Sequence, residues 1–137
     1  MIYIGNDHAA CDLKNIIAEH LQKKGFEFVD CGVADGEKCD YPDMAKTVCK
    51  QIKEGDKGIL ICGTGIGMAM AANKVENIRA ASVSDTYSAK MTRSHNNANV
   101  LCLGGRVCGS GLALDIVDIF MTTEFEGGRH QTRIDKI

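Results

Sequence analysis

One cysteine stands directly before a glycine-rich turn, and this combination could do chemistry. Cys62 ends an apolar run that starts at Gly58, and Gly63, Gly65 and Gly67 follow it. An apolar run, a glycine turn and a stretch of small residues predict a buried strand, a tight connection and a helix. Backbone N–H groups at the start of a helix attract negative charge, and such surroundings favour a thiolate. The stretch therefore offers a reactive thiol beside a cradle for an oxyanion or a phosphate.

The same turn has two other interpretations. A glycine turn after a buried strand is often only a tight connection. A nucleotide-binding loop is a second alternative, but the chain has no G-x-x-x-x-G-K-[ST] motif, and Met68 stands where the dinucleotide fingerprint needs glycine or alanine. Asp85 does lie at a suitable distance for a ribose contact. A nucleotide-binding module therefore stays open as an alternative at this point.

Two pairs of neighbouring residues could also act on a substrate. Asp7 and His8 follow the first predicted strand, and His95 and Asn96 end a predicted helix. An aspartate at such a place can simply cap a helix, and a histidine at a helix C-terminus is favoured by the helix dipole alone. The position of Asp7 and His8 at a strand end favours a functional role for this pair.

Two arginines near the end of the chain are spaced for phosphate binding. Arg129 and Arg133 are four residues apart, so they would share one face if this segment is helical. Each guanidinium can donate two parallel hydrogen bonds to a phosphate. A solvated basic tail would have the same spacing.

Strands alternating with helices position these groups. The predicted strands cover residues 2–5, 26–30, 58–62, 79–84 and 100–103, and helices fill the intervals, the last over 109–122 before a polar tail. This order predicts one α/β domain over residues 1–137, a three-layer α/β/α sandwich around a five-stranded, parallel, Rossmann-like sheet. Ligands of such sheets lie at the carboxyl ends of the strands. Asp7 and Cys62 share that edge.

The composition excludes several classes of protein. The chain has 137 residues, 45% of them apolar, and a net charge of -2, which predicts no general attraction to nucleic acid or to an anionic membrane. We expect no secretory signal and no membrane span, because no apolar run is long enough. Seven cysteines without a C-x-x-C pair indicate neither a disulfide framework nor a zinc site of that type, and favour the cytoplasm. The cysteines other than Cys62 are predicted to be packing residues.

A series of short motifs makes the sequence resemble a known family. In order, the chain carries NDH at 6–8, DYP at 40–42, ICGTGIG at 61–67, AANK at 71–74, SHN at 94–96, NVL at 99–101 and EGGRHQTR at 126–133. Each motif alone is weak, but together they are specific. Over essentially its whole length the chain resembles the family of ribose-5-phosphate isomerase B and galactose-6-phosphate isomerase.

The resemblance implies a role for each candidate residue. Cys62 resembles the base that moves a proton between C1 and C2 of the open-chain sugar, His95 the group that opens the furanose ring, and Asp7 a ligand of the sugar hydroxyls. The resemblance implies an anion hole for the enediolate at Gly63, Thr64, Gly65, Ile66 and Gly67, a phosphate site at His8, Arg129 and Arg133, and further substrate contacts at Asn96 and Arg106. Moving a proton beside a carbonyl requires a positioned base and preorganised donors. No metal and no organic cofactor is implied.

We therefore expect an isomerase of the pentose phosphate pathway that interconverts ribose 5-phosphate and ribulose 5-phosphate. A six-carbon sugar phosphate, galactose or allose 6-phosphate, stays open as substrate because ring size depends on pocket volume. In galactose-6-phosphate isomerase the catalytic parts are divided between two different chains, whereas this chain carries Cys62, His95 and both tail arginines, which favours the pentose enzyme. A non-catalytic nucleotide- or sugar-phosphate-binding module would leave the thiol and the imidazole idle.

The topology also predicts an assembly. Cys62 ends a strand at the carboxyl edge of the sheet, whereas His95 ends a helix that runs antiparallel to the strands and so lies near the amino edge. The family's site needs both groups around one sugar. We expect a homodimer, or a dimer of such dimers, in which His95 and Asn96 reach into the partner's pocket. A bent connection between Asn96 and Val100 would instead bring His95 round within one chain.

Overall fold

The computed structural model describes all residues from Met1 to Ile137 and contains one five-stranded sheet. Its strands are β1 (Ile2–Asn6), β2 (Phe28–Asp30), β3 (Lys57–Cys62), β4 (Ala80–Ser82) and β5 (Val100–Gly104). Their spatial order is β2-β1-β3-β5-β4, and every neighbouring pair is parallel. The short strands β2 and β4 form the edges, and the buried strands β3 and β5 lie inside. The predicted parallel sheet is confirmed.

Helices cover both faces of the sheet. They are α1 (Cys11–Lys23), α2 (Tyr41–Cys49), α3 (Ile66–Ala72), α4 (Thr86–Ser94), α5 (Ser110–Thr122) and α6 (Arg129–Ile134). One core cluster joins the sheet to α1, α4 and α5, and a second joins it to α2 and α3. The predicted three-layer sandwich is therefore confirmed. None of these helices has the length and apolar character needed to cross a bilayer.

The alternation of side chains along β3 decides which layer the thiol faces. Ile59 and Ile61 pack in the cluster of α1, α4 and α5, whereas Leu60 and Cys62 pack in the cluster of α2 and α3. Neighbouring side chains of a strand point to opposite faces, and helices on both faces require an almost continuous apolar run. Cys62 therefore points to the α2/α3 layer at the carboxyl end of its strand.

The structure differs from the sequence expectation at several element ends. The second helix does not fill its interval but stops at Cys49, because the amides of Gln51 and Ile52 bond to carbonyls three residues back. The second strand starts later than expected, because the Phe26 amide still bonds to the Leu21 carbonyl at the end of α1.

Two further segments also depart from the expected bounds. The strand predicted over 79–84 is only Ala80–Ser82, and the amide of the preceding residue, Arg79, bonds to the side chain of Asn99. The polar tail is not irregular throughout, because residues Arg129–Ile134 form α6. The helix that Arg129 and Arg133 need in order to share one face is therefore present.

Candidate active site

The glycine turn between β3 and α3 is packed directly against the end of β5. Gly65 has a φ of +79°, and a Cβ on it would lie 2.9 Å from the carbonyl carbon of Leu103. A Cβ on Gly104 would lie 2.7 Å from backbone atoms of Thr64. Glycine tolerates a left-handed backbone and such a close approach, and other residues do not. The shape of the turn therefore depends on glycine on both sides of the contact.

This turn brings backbone donors to the thiol. The Sγ atom of Cys62 is buried and accepts a hydrogen bond of 3.1 Å from the Gly65 amide. The amides of Gly63, Thr64 and Gly67 donate to no protein atom. Successive free amides around one concavity form a site for negative charge. The predicted neighbours, the thiol and the anion cradle, are thus brought together.

The other two members of the predicted cradle have different surroundings. The Ile66 amide donates to Oγ1 of Thr64 at 3.3 Å, and the Ile66 side chain is exposed. The Thr64 hydroxyl therefore helps to shape the first turn of α3, and the Ile66 amide is not free in this arrangement.

The pair that follows β1 lies beside the end of β3. The Asp7 amide donates to the Ile61 carbonyl at 3.1 Å, next to Cys62 in the chain. The Asp7 carboxylate is buried and accepts from the Ala9 amide at 2.9 Å, so it shapes a local turn and does not cap α1, which starts later without a side-chain cap. His8 is exposed, with Nδ1 3.2 Å from the Cys39 carbonyl.

Two side chains border the glycine turn. The Arg106 amide donates to the Gly63 carbonyl at 3.0 Å, and its guanidinium nitrogen lies 3.4 Å from where a Cβ on Gly63 would be. The Tyr41 ring lies over Gly67, where a Cβ would come within 2.6 Å of it. The sequence analysis gave Tyr41 no role. Its place in the DYP motif, at the start of α2, could have indicated one.

A second cluster lies at the end of α4. The rings of His95 and His130 are stacked, with centroids 4.2 Å apart and planes inclined by 12°. The Glu126 carboxylate lies 3.3 Å from Nε2 of His95 and 3.5 Å from Nε2 of His130, and the Glu126 amide bonds to the Ser94 carbonyl. Loss of hydration, followed by the charges of His95 and Arg129, lowers the pKa of His130. Sequence reasoning assigned no role to Glu126 or His130.

Of the two tail arginines, Arg133 lies at this second cluster. Arg129 and Arg133 start and nearly end α6, and both are exposed. Arg133 lines a depression of about 330 Å³ together with His95, Asn96 and His130. The tail thus brings Arg133 to His95 and Asn96, the two residues that follow α4.

Within one chain the two clusters lie at opposite ends of the parallel strands, the glycine turn at their carboxyl ends (the carboxyl edge) and the His95 cluster at their amino ends (the amino edge). The Gly58 amide at the start of β3 bonds to the Asn99 carbonyl, whereas Cys62 pairs with Gly104 at the other end. Gly104 lies five positions beyond Asn99 along the strand, and at about 3.3 Å per residue this is roughly 16 Å. The connection after Asn96 does not bend back, because Arg79 holds its carbonyl groups at the amino edge.

The remaining cysteines differ from Cys62. Burial raises the pKa of Cys49 to about 12 and raises that of Cys102 well above the ordinary value, so these thiols stay protonated at neutral pH. The predicted packing role is confirmed for the buried cysteines, which are Cys11, Cys49, Cys102 and Cys108. Cys31 and Cys39 are partly exposed and pack against the α2/α3 core cluster.

Comparison with known proteins decides the family. The model of the ribose/galactose isomerase family matches residues 2–137. The chain belongs to this family. Its fold superposes with a TM-score of 0.95 on ribose-5-phosphate isomerase B of Clostridium thermocellum, at 52% identity, over 98% of this chain and 93% of that one. As a member of the family, the chain is a sugar-phosphate isomerase.

Two other relatives are informative about ligands. The enzyme of the same name from Mycoplasma genitalium, solved with bound ribulose 5-phosphate, is 49% identical, with a TM-score of 0.93 over 98% of this chain and 91% of that one. A D-erythrulose-4-phosphate isomerase of Pectobacterium atrosepticum is 50% identical over 99% of this chain and 91% of that one. Relatives with similar sequence identity to this chain are therefore named for different sugar phosphates.

Proposed function

We propose that the protein interconverts ribose 5-phosphate and ribulose 5-phosphate through an enediolate. The observation that carries this proposal is the Cys62 thiol beside the Gly65 amide, with the free amides of Gly63, Thr64 and Gly67 in the same turn. The relative solved with ribulose 5-phosphate, at 49% identity, supports a pentose phosphate as the ligand.

The proton transfer follows from this arrangement. The Cys62 thiolate removes the proton from C2 of the open-chain aldose and returns it to C1, while the proton on the C2 hydroxyl passes to the oxygen on C1. Negative charge develops on the carbonyl oxygen as the C–H bond breaks. The free amides of the turn stabilise that charge, and loss of one such donor typically costs ~10²–10³ in rate. Asp7 lies at the same edge and holds sugar hydroxyls, and Arg106 and Asn96 provide further substrate contacts.

Ring opening needs a second acid–base group. The furanose opens when a base takes the proton of the C1 hydroxyl and an acid gives one to the ring oxygen. We assign this transfer to His95, which is partly exposed and lies 3.3 Å from the Glu126 carboxylate. A neighbouring carboxylate that accepts from one ring nitrogen orients the imidazole and fixes which nitrogen faces the substrate.

The separation of the two clusters supports a composite site. With Cys62 and His95 at opposite edges of one sheet, a homodimer in which each chain presents its second cluster to the partner's glycine turn completes two sites at once. The exposed apolar side chains of Ile66, Met70 and Val107 lie beside the glycine turn. Ile66 and Met70 are four residues apart and share one face of α3. Apolar groups exposed in this way suit a protein interface.

The same arrangement assembles a phosphate site. Arg133 lies at the second cluster, Arg129 starts the same helix, and His8 lies at the carboxyl edge. In the proposed dimer the cations of one chain and His8 of the other hold the phosphate, and paired guanidinium hydrogen bonds suit its geometry.

Two alternative substrates remain within the family. A six-carbon sugar phosphate would need a larger pocket than ribose 5-phosphate does. A four-carbon sugar phosphate is an alternative because the relative named D-erythrulose-4-phosphate isomerase is 50% identical. A non-catalytic sugar-phosphate-binding module is the alternative from another class.

A substrate panel tests these proposals. Purified protein should be assayed with four-, five- and six-carbon aldose phosphates, and we expect the highest kcat/KM with ribose 5-phosphate. Cys62→Ala should abolish turnover but leave binding of ribose 5-phosphate largely intact, because the base acts on the chemical step. Cys108→Ala is the matched control, since that buried thiol lies outside the turn. Near-parental kcat in Cys62→Ala would show that the assigned base is wrong.

A further inference from the structure

A polar cleft at the amino edge of the sheet, here called the amino-edge cleft, lies apart from the Cys62 pocket. It has a volume of about 600 Å³ and lies among the segment that leads into β3, the residues before β4, the end of α4 with the α4–β5 connection, and Gln131 of α6. Ile52 is its one hydrophobic lining residue. Its cations are Lys53, Lys57, Arg79 and Arg93.

Positive charge in the amino-edge cleft is not balanced by the protein. None of the four cations takes part in an ion pair. The lining acids are Glu54 and Asp56, and Asp56 is already paired with the N-terminal amine at 3.0 Å. Glu124 lies near enough to offset part of the charge of Lys57 and Arg93, but it forms no direct pair with them.

Two of the cations are withdrawn from water without an acidic partner. Arg93 is buried, with 8% of its surface exposed, and its Nε atom has no hydrogen-bond partner. Lys57 is partly buried, and burial followed by the charge of Arg93 lowers its pKa. A buried cation without a counter-charge is unfavourable. A bound anion would relieve this cost.

Arg79 and Arg93 also hold the loop that carries His95 and Asn96. Arg79 donates to the carbonyls of Asn96 and Asn97 at 2.9–3.1 Å, and Arg93 donates to the side chain of Asn97 at 3.0 Å. These two cations are therefore fixed in place by structural contacts. Lys57 and Lys53 make no side-chain hydrogen bond, so they can turn towards a ligand.

We propose that the amino-edge cleft is an anion site for a small molecule that carries phosphate groups, separate from the proposed substrate phosphate position at Arg129 and Arg133. Several cations around one polar cleft suit the charge of phosphate. The volume is that of a pocket for a small metabolite.

Inorganic pyrophosphate is the probe, measured by titration calorimetry in chloride buffer at fixed ionic strength. The background is Arg133→Ala, which weakens binding at the proposed substrate position. Lys57→Gln in this background should weaken pyrophosphate binding about tenfold or more, because it removes a charge-assisted contact. Lys53→Gln should weaken it as well, and serves as a second variant if the Lys57 change perturbs folding by circular dichroism. Lys74→Gln, an exposed lysine outside the cleft, should leave it unchanged.

Two results would overturn the proposal. One is an Arg133→Ala protein that binds no pyrophosphate at millimolar concentration, and the other is equal affinity in the Lys57, Lys53 and Lys74 variants. Failure of the proposed function would show separately, as an absence of isomerase activity in the parent protein.

Discussion

At the scale of single residues, seven cysteines share one chemistry but occupy different environments. Cys62 is the one whose sulfur accepts a backbone N–H, from Gly65 at 3.1 Å. Cys49 and Cys102 are surrounded by apolar groups, and burial raises the pKa of each thiol. Burial without a polar partner disfavours the charged form of those two thiols. The backbone contact therefore distinguishes Cys62 from the other cysteines, in line with the role proposed for it.

The role of His95 can be separated from that of Cys62 by the choice of substrate. Erythrose 4-phosphate has no free hydroxyl that closes a five-membered ring, because O4 carries the phosphate, so it needs no ring opening. His95→Ala should lower kcat/KM for ribose 5-phosphate by ~10²–10⁴, the usual contribution of a general acid–base group. The same variant should change kcat/KM for erythrose 4-phosphate much less.

The control for this comparison is Cys62→Ala, which should lose turnover of both substrates because both need the base. An equal loss for the two substrates in His95→Ala would contradict the ring-opening role and indicate a role in a step that the two sugars share.

The phosphate assignment can be tested at Arg133. Arg133→Ala should raise KM for ribose 5-phosphate by roughly one to two decades, because a charge-assisted hydrogen bond contributes on the order of 1.5–3 kcal/mol. Inorganic phosphate should inhibit this variant less than the parent. Lys136→Ala, which removes another exposed cation just after α6, should leave both values unchanged. The assignment fails if phosphate inhibits the parent and Arg133→Ala equally.

At the scale of elements, the β3–α3 turn links packing to chemistry. The left-handed backbone of Gly65 and the absence of a side chain on Gly104 let the turn pack on the end of β5. The same contact aims the Gly65 amide at the sulfur of Cys62. Stability and the site geometry therefore depend on the same glycines.

Gly65→Ala tests this link. A left-handed backbone costs an L-residue roughly 1–2 kcal/mol, and the new Cβ would also meet the Leu103 backbone at 2.9 Å. We expect a lower free energy of unfolding in urea, together with loss of most of the activity. Gly111→Ala, in α5 where a Cβ meets nothing within 4 Å, should be neutral or stabilise the fold by about 0.5–1 kcal/mol. A fully active Gly65→Ala would show that the turn does not position the catalytic donors.

At the scale of the whole molecule, the two proposed catalytic groups lie at opposite ends of the strands, and β5, which spans the sheet between these ends, is roughly 16 Å long at about 3.3 Å per residue. Because Arg79 ties the connection after Asn96 to the amino edge, folding within one chain does not close this gap. In the proposed dimer, a two-fold axis would place the His95 cluster of each chain at the partner's turn.

Mixed dimers test the composite site. Cys62→Ala and His95→Ala proteins should each be nearly inactive alone. After joint unfolding and refolding, a mixed dimer would hold one site with both intact groups and one site with neither, so activity should partly return. Mixing without unfolding is the control, since it forms mixed dimers only as fast as subunits exchange. Mixed dimers detected by mass but without recovered activity would exclude the shared site.

The sequence by itself determined the layer architecture and the position of the thiol. Alternating apolar runs and glycine stops predicted the parallel sheet, because a strand buried on both faces needs an almost continuous apolar run. The run of residues 58–62 before the glycine turn placed Cys62 at a strand end. The motifs indicated the family, and these features are local in the chain.

Tertiary structure alone decided how distant segments meet. The stacking of His130 on His95, the Glu126 carboxylate within reach of both rings and the Tyr41 ring over Gly67 join residues from separate elements. The insertion of β5 between β3 and β4 also depends on packing. Local periodicity describes which face of an element is apolar, but which elements meet depends on the packing of the whole chain. For this reason the amino-edge cleft, with its unpaired Lys57 and Arg93, is visible only in the folded molecule.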